Sequence, residues 1–271
     1  VVIALPTPLH YEFSKKALLA HKHVFVEKPI ALKVQHAEEL CRIAARVKKR
    51  LMVGHLLLYH PAVTMLKELV KSKELGEVYY LYAQRLNLGQ IRKDENALWS
   101  LAPHDISVIL ELFGKPKFVQ AQGSSYIQRH KGIEDVIFMH FKFQDGRAAH
   151  LHLSWLDPHK VRRITLVGSK KMAVFDDMEP ANKIKIYDRG VDHEKSSEAD
   201  SLTSSMALRF GEINAPIIET VEPLLRECKH FVNCVQKNSR PHSDGRNGLE
   251  VIRLMHAATL SIRRGGRPVR L

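Results

Sequence analysis

The sequence predicts an α/β fold: part of a parallel, doubly wound sheet, then an α+β domain built on a large, mainly antiparallel open sheet. Three observations carry this. Residues 1–54 read strand–helix–strand–helix–strand, the grammar of parallel strands joined by crossover helices. After Gly54 that alternation stops, and a helix opened by Pro61 intervenes. Residues 134–143 and 147–155 then alternate apolar and polar around Asp145-Gly146, as an antiparallel hairpin with one buried face does.

Each element follows from its residues. Val1-Val2-Ile3-Ala4-Leu5 is a β-branched, apolar run that ends at Pro6-Thr7-Pro8, a buried strand running out into a loop. Phe13, Ala17 and Leu18 recur at helical spacing between His10 and Ala20. Val24-Phe25-Val26 is a second strand, stopped by Glu27-Lys28-Pro29. Val34, Ala37, Cys41, Ala44 and Ala45 line one face of a helix over 33–49, with Arg46, Lys48, Lys49 and Arg50 at its cation-favouring end. Leu51-Met52-Val53-Gly54 is a third strand. A helix from Pro61 to Lys71 buries Val63, Leu66, Leu69 and Val70, and Gly76 closes that segment. A Tyr-rich strand over 77–86 precedes a helix over 103–113, with Pro103 near its start and Gly114 and Pro116 at its end. Residues 117–188 read as antiparallel strands, 190–215 as a Ser-rich loop, and 221–237 and 246–264 as amphipathic helices.

Composition bounds the function. The chain has 271 residues, enough at about 150 residues per domain for roughly two domains. With 45% hydrophobic residues it is not disordered, and no apolar run approaches the roughly 18–20 residues that span a bilayer. No membrane partner is expected. Cys41, Cys228 and Cys234 are few, odd in number and without a CxxC pair, which argues against a disulfide scaffold or structural zinc and for a reducing, cytoplasmic setting. The net charge of +13 has two rival explanations, a polyanion or a site for a small acidic ligand. No helix-turn-helix, zinc-finger or aromatic-interleaved basic patch stands out. The charge is spread over Arg46–Arg50, Arg162-Arg163, Lys170-Lys171 and Arg263–Arg270, so no nucleic acid is expected.

Four constellations could carry chemistry. Glu27-Lys28-Pro29 ends a strand at the carboxyl edge of the sheet, where open α/β sheets place ligands; it is otherwise a solvated turn. Leu5, Pro6, Thr7 and Pro8, with His10, lie on the same edge, as ligand contacts or as a capped helix entry. His104, near a helix N-terminus, would be held neutral by the dipole and could accept a proton. Arg85, Asn87, Arg92 and Lys93 around Gly89 suit carboxylate or phosphate, or form a solvated basic loop. The 16 histidines offer only i,i+2 pairs, so no metal site is expected.

In this order the parts resemble the Gfo/Idh/MocA family of NAD(P)-dependent oxidoreductases over essentially the whole chain. Leu5-Pro6-Thr7-Pro8 with His10 is similar to its post-strand turn, His23 to Pro29 to its Glu-Lys-Pro strand, and Val53-Gly54-His55 to the strand entering its second domain. The resemblance implies a Rossmann-type domain over 1–55 and a substrate and oligomerisation domain over 56–271. Gly54 to Pro61 and Glu95 to Asp105 are similar to a bacterial branch that oxidises the 3-hydroxyl of UDP-N-acetylglucosaminuronic acid. Resemblance then makes Lys28 and His104 the reacting pair. Leu5, Pro6, Thr7, Pro8, His10, Glu27 and Lys28 would face the cofactor, and Lys28, Arg85, Asn87, Arg92, Trp99 and His104 the sugar nucleotide. Many relatives carry Asp four residues before this histidine; here Ser100 stands there. NAD is the expected cofactor, with NADP open because no selector residue is present. No G-x-G-x-x-G turn occurs and the first residue is Val, so an N-terminally truncated chain is expected. A dimer or tetramer is also expected. Other family substrates, such as a free sugar, an inositol or a sugar phosphate, stay open, as does a non-catalytic binding homologue.

Overall fold

Apolar triplets at the strand positions build the first sheet. The computed structural model describes residues 1–89, 91–93, 95–193 and 206–271. β1 (Val2–Ile3), β2 (Val24–Glu27) and β3 (Leu51–Gly54) run parallel in that order, with Ile3 beside Val26 and Glu27 beside Gly54. α1 (His10–Leu19) and α2 (Val34–Arg46) make the crossovers. Their buried stripes differ from the expected ones. α1 buries His10, Ser14 and Leu18 and leaves Phe13 exposed, because His10 bonds inward to two loops. α2 buries Ala37, Leu40, Ile43 and Ala44 and leaves Ala45 exposed. The larger Leu and Ile side chains fill the space against α1 and the last long helix.

Among the described residues the second sheet has nine strands. After α3 (Pro61–Lys71) come β4 (Val78–Leu88), α4 (Ala97–Phe113), β5 (Phe118–Ser124), β6 (Val136–Lys142) and β7 (Ala148–Ser154). They are followed by β8 (Leu156–Gly168), β9 (Met172–Asp176), β10 (Ile184–His193) and β11 (Met206–Asn214). α5 (Pro223–Gln236), α6 (Gly245–Arg263) and β12 (Val269–Arg270) complete the chain. The strand order is β11-β10-β9-β8-β4-β7-β6-β5-β12, and β4–β7 is parallel while every other pairing is antiparallel. The β6–β7 hairpin turns through Gly146 at φ +90°, a conformation in which a Cβ is strained. Ile137, Met139 and Phe141 face Leu153, Leu151 and Ala149 in the core.

Two expectations change here. The helix that carries His104 starts at Ala97 rather than at 103, and Pro103 lies inside it. Asn96 caps it, its side chain accepting the Trp99 N–H at 3.1 Å while its own amide bonds Glu134 at 2.6 Å. Those contacts offset the hydrogen bond that Pro103 cannot donate. Where a loop was expected over 190–215, β10 runs to His193 and β11 pairs with it from Met206; residues 194–205 lie outside the described residues.

Helices α4 and α6 cover the inner face of the large sheet, α4 against β4, β6 and β7 and α6 against β5. α6 also packs on α2 and β3, joining the two sheets. Ser243, just before it, accepts and donates along the β3 edge through Val53. Phe141 and Phe175 are the largest fully buried side chains. Phe141→Ala is expected to cost about 3–5 kcal/mol, read as a lower urea midpoint with the slope unchanged.

Candidate active site

The carboxyl ends of β1, β2 and β3 bring three loops to one edge. His10 ties two of them: its ring nitrogens lie 2.8 Å from the Pro29 carbonyl and 2.7 Å from the Leu5 carbonyl. Leu5, Pro6 and Pro8 are exposed beside Thr7, while His10 sits behind them, buried. Glu27 lies over Gly54, where an added Cβ would come 3.1 Å from its carboxylate oxygen. The missing side chain at Gly54 is therefore what leaves room for Glu27.

Lys28 leaves β2 and reaches across to α4, donating to the Ser100 carbonyl at 3.2 Å. The contact goes to the backbone, so it does not depend on whether Ser or Asp stands at that position. Burial lowers the Lys28 pKa, Glu95 and Glu27 raise it, and Arg85 and Arg92 add to the lowering. His104 is the eighth residue of α4, half-buried, one turn beyond Ser100. Its pKa is held well below the usual histidine value, first by burial and then by Arg85, Lys28, His55 and Arg162. The helix dipole, expected to do this, fades within the first turn and so does not account for it. A neutral imidazole beside two or three cations is a proton acceptor at neutral pH.

Arg85 on β4 is buried in a two-pronged pair with Asp105 of α4, Nε to Oδ2 at 2.6 Å and a terminal nitrogen to Oδ1 at 3.2 Å. Arg92 pairs with Glu95 at 3.0 Å and is half-exposed. Asn87 lies against Gly89, where a Cβ would collide with its amide. Trp99 packs edge-on against His256 of α6, ring centroids 5.3 Å apart, and His256 in turn holds the Leu32 carbonyl at 2.9 Å.

Arg85 and His104 line a cavity of about 720 Å³. Its other walls include Leu56 and His60, from the Gly54 to Pro61 motif, and residues that no sequence motif assigns to a site: Arg162 on β8, Asp177, Lys183 and residues 218–221. In the sequence alone Arg162 belongs to the dispersed positive charge. Its signal would have been the strand register, which sets Arg162 directly across from Arg85.

His55, at the end of β3, is fully buried. Its Nδ1 lies 2.6 Å from the Asn247 side-chain oxygen, so Nδ1 carries the hydrogen and Nε2 presents a lone pair with no partner among the described residues. Burial pulls its pKa down to about 4. Glu227 on α5 is buried near Glu27, and burial pushes its carboxyl up to about 8, so it is neutral at pH 7.

Two models of one family match the chain. Residues 1–55 match the oxidoreductase family's NAD-binding Rossmann fold, and residues 63–174 match the GFO/IDH/MocA C-terminal domain. The chain belongs to the Gfo/Idh/MocA family of oxidoreductases, whose N-terminal domain is an NAD-binding Rossmann fold. It is 25% identical to a 2,7-anhydro-N-acetylneuraminate hydratase of Escherichia coli, across 96% of this chain and 78% of that one. It is 26% identical to a UDP-N-acetylglucosamine 3-dehydrogenase of Acidithiobacillus ferrooxidans, across 97% and 77%. Among solved structures, an inositol dehydrogenase homologue from Azotobacter vinelandii, complexed with NADH and myo-inositol, matches with TM-score 0.80 at 16% identity, across 100% and 77%. No helix among the described residues is long and apolar enough to cross a membrane.

Two measurements test the electrostatics. Asp105→Ala strands the buried Arg85 charge and is expected to cost about 3–5 kcal/mol, read by urea unfolding. His55 takes a proton at 6.5 when unfolded and at about 4 when folded. Between those values the unfolded chain binds more protons, so its share of stability is intact above pH 6.5 and falls by roughly 3 kcal/mol on acidification to pH 4. Unfolding free energies measured over that range should fall less steeply in His55→Phe.

Proposed function

We propose that the chain is an NAD-dependent dehydrogenase of a sugar hydroxyl, acting at C3 of a UDP-linked N-acetylated uronic acid sugar. The observation that carries this is the convergence of Lys28 and His104. Lys28 is fixed to α4 one turn before His104, and His104 is kept unprotonated by burial and by the cations around it. The imidazole then takes the proton of the substrate hydroxyl. The Lys28 ammonium hydrogen-bonds the same oxygen as it becomes a carbonyl oxygen. Bound NAD supplies the hydride-accepting chemistry.

The residues at the sheet edge fit the nicotinamide end of that cofactor. The exposed Leu5-Pro6-Thr7-Pro8 turn, Glu27 and Lys28 would hold it, with His10 fixing two of the loops from behind. The orphaned Nε2 of His55 supplies a buried acceptor on the same edge. On this reading residues 1–55 bind NAD and residues 56–271 bind the sugar. Of the residues assigned to the sugar, Arg85 acts through Asp105 and His104, Trp99 through His256, and Asn87 and Arg92 on the exposed approach. The similarity to a UDP-N-acetylglucosamine 3-dehydrogenase supports the sugar-nucleotide class. The similarity to a 2,7-anhydro-N-acetylneuraminate hydratase favours a second reading, in which the same pair works on a carboxylate-bearing sugar.

The outer face of the large sheet carries Tyr82, His140, His150 and Phe138 stacked on His152, and we assign it to contact with a second copy. Three unpaired cysteines support a cytoplasmic setting.

Lys28→Ala and His104→Ala are each expected to lower kcat by about 10²–10⁴-fold, followed as NADH absorbance with the UDP-sugar. Normal turnover by both variants, or no calorimetric affinity for UDP, overturns the reading. The acidic limb of kcat/KM should lie below the ordinary histidine value of 6.5, because the His104 base stays neutral to lower pH.

A further inference from the structure

We propose that Arg162 and Lys183, held apart by the single carboxylate of Asp177, form the receptor for the anionic group of the sugar substrate. The inference rests on the sugar-dehydrogenase reading above and adds the residues that would select an acidic sugar. Its starting point is the register of the large sheet. Arg162 on β8 stands directly across from Arg85 on β4, on the face that α4 covers. Like charges in that relation repel unless each is answered by an anion. Arg85 is answered: Asp105 holds it at 2.6 Å, out of water. Arg162 is not answered in the same way. Its carboxylate, Asp177, lies at 3.5 Å and is shared with Lys183 at 3.4 Å.

A third donor competes for that carboxylate. His60 accepts the Ala62 N–H on Nδ1 at 3.1 Å, which leaves its hydrogen on Nε2, 3.8 Å from Asp177. One carboxylate therefore faces two permanent cations and an imidazole N–H, all at distances longer than a charged hydrogen bond takes. Among the nearby carboxylates, Glu219 is engaged by Arg226, and Glu222 is exposed at the rim. The cluster is also prearranged by backbone. Lys183 donates to the Asp177 carbonyl at 2.7 Å, and the Asp177 N–H donates to the Arg162 carbonyl at 2.9 Å.

All four side chains line the same cavity as His104, and Arg162 is one of the cations that depress the His104 pKa. An anion seated there would be within electrostatic reach of the proton acceptor. The planar fork of Arg162 and the point charge of Lys183 suit a carboxylate or a phosphate oxygen pair. Either a diphosphate linkage or a sugar carboxylate has that chemistry.

The test is steady-state kinetics and calorimetry on the whole chain with NAD. The ligands are UDP-N-acetylglucosamine for the diphosphate, 2,7-anhydro-N-acetylneuraminate for the carboxylate, and myo-inositol as the uncharged probe. Arg162→Met and Lys183→Met should each raise KM or Kd for the accepted anionic sugar by about tenfold to a hundredfold. They should leave kcat within a few-fold and weak binding of myo-inositol unchanged. Arg163→Met, which breaks a pair with Asp176 on the other face, should change none of these. Turnover of UDP-N-acetylglucosamine with KM unmoved in both variants would overturn this inference and leave the dehydrogenase reading standing. Binding of only the carboxylate sugar, dependent on Arg162 and Lys183, would uphold the inference and sink the UDP-sugar reading. Failure of both anionic sugars to bind the unaltered chain would overturn it as well.

Discussion

The buried pair between Arg85 and Asp105 is the constraint on which the site depends. Removing two charges from water costs several kcal/mol per ion, and only short, two-pronged geometry offsets it. That geometry fixes the face α4 turns toward β4. Because Asp105 is committed to the sheet, the residue before it is committed too, and His104 is presented at the cavity wall. The same pair leaves a guanidinium beside that imidazole, so the contact that positions the base also helps to keep it unprotonated. Position and protonation state have one cause.

The two sheets meet at this place through long side chains rather than through shared backbone. Lys28 extends from the parallel sheet to a carbonyl at the end of the first turn of α4, and α6 bears on elements of both sheets. The charge excess is spent unevenly around that meeting point. Arg85 and Arg92 are each matched by a neighbouring carboxylate, while Arg162 and Lys183 share one. The local balance, rather than the total of +13, is what an incoming ligand meets.

Much of the fold was legible in the sequence wherever the controlling contacts are local. The β6–β7 hairpin follows from period-two alternation and a Gly turn, and α3 begins at the proline that opens it. The start of α4 was not legible, because Asn96 is held by Glu134, thirty-eight positions along the chain. Pro103 reads locally as a helix start, and a distant carboxylate overrules it. The same division holds at the site. Lys28, His104 and Arg85 sit in motifs of neighbouring residues. Arg162, Asp177 and Lys183 come together only through the pairing of β8 with β9 and the bend between β9 and β10. His55 could be quoted as part of a strand end. Burial keeps it neutral, and its tautomer is set by Asn247, at the other end of the chain.

The central strand of the large sheet is made early and completed late. β4 ends at Leu88, and neither of its partners begins before Ala148, so both edges of a Tyr-rich strand stay unpaired while some sixty further residues are synthesised. Its parallel pairing with β7 cannot be reached by a tight turn, and the edge strand β12 follows only at Val269. Folding of this chain is therefore governed by non-local closure. The interval between the synthesis of β4 and that of β7 is when a nascent molecule is most exposed to association with its neighbours.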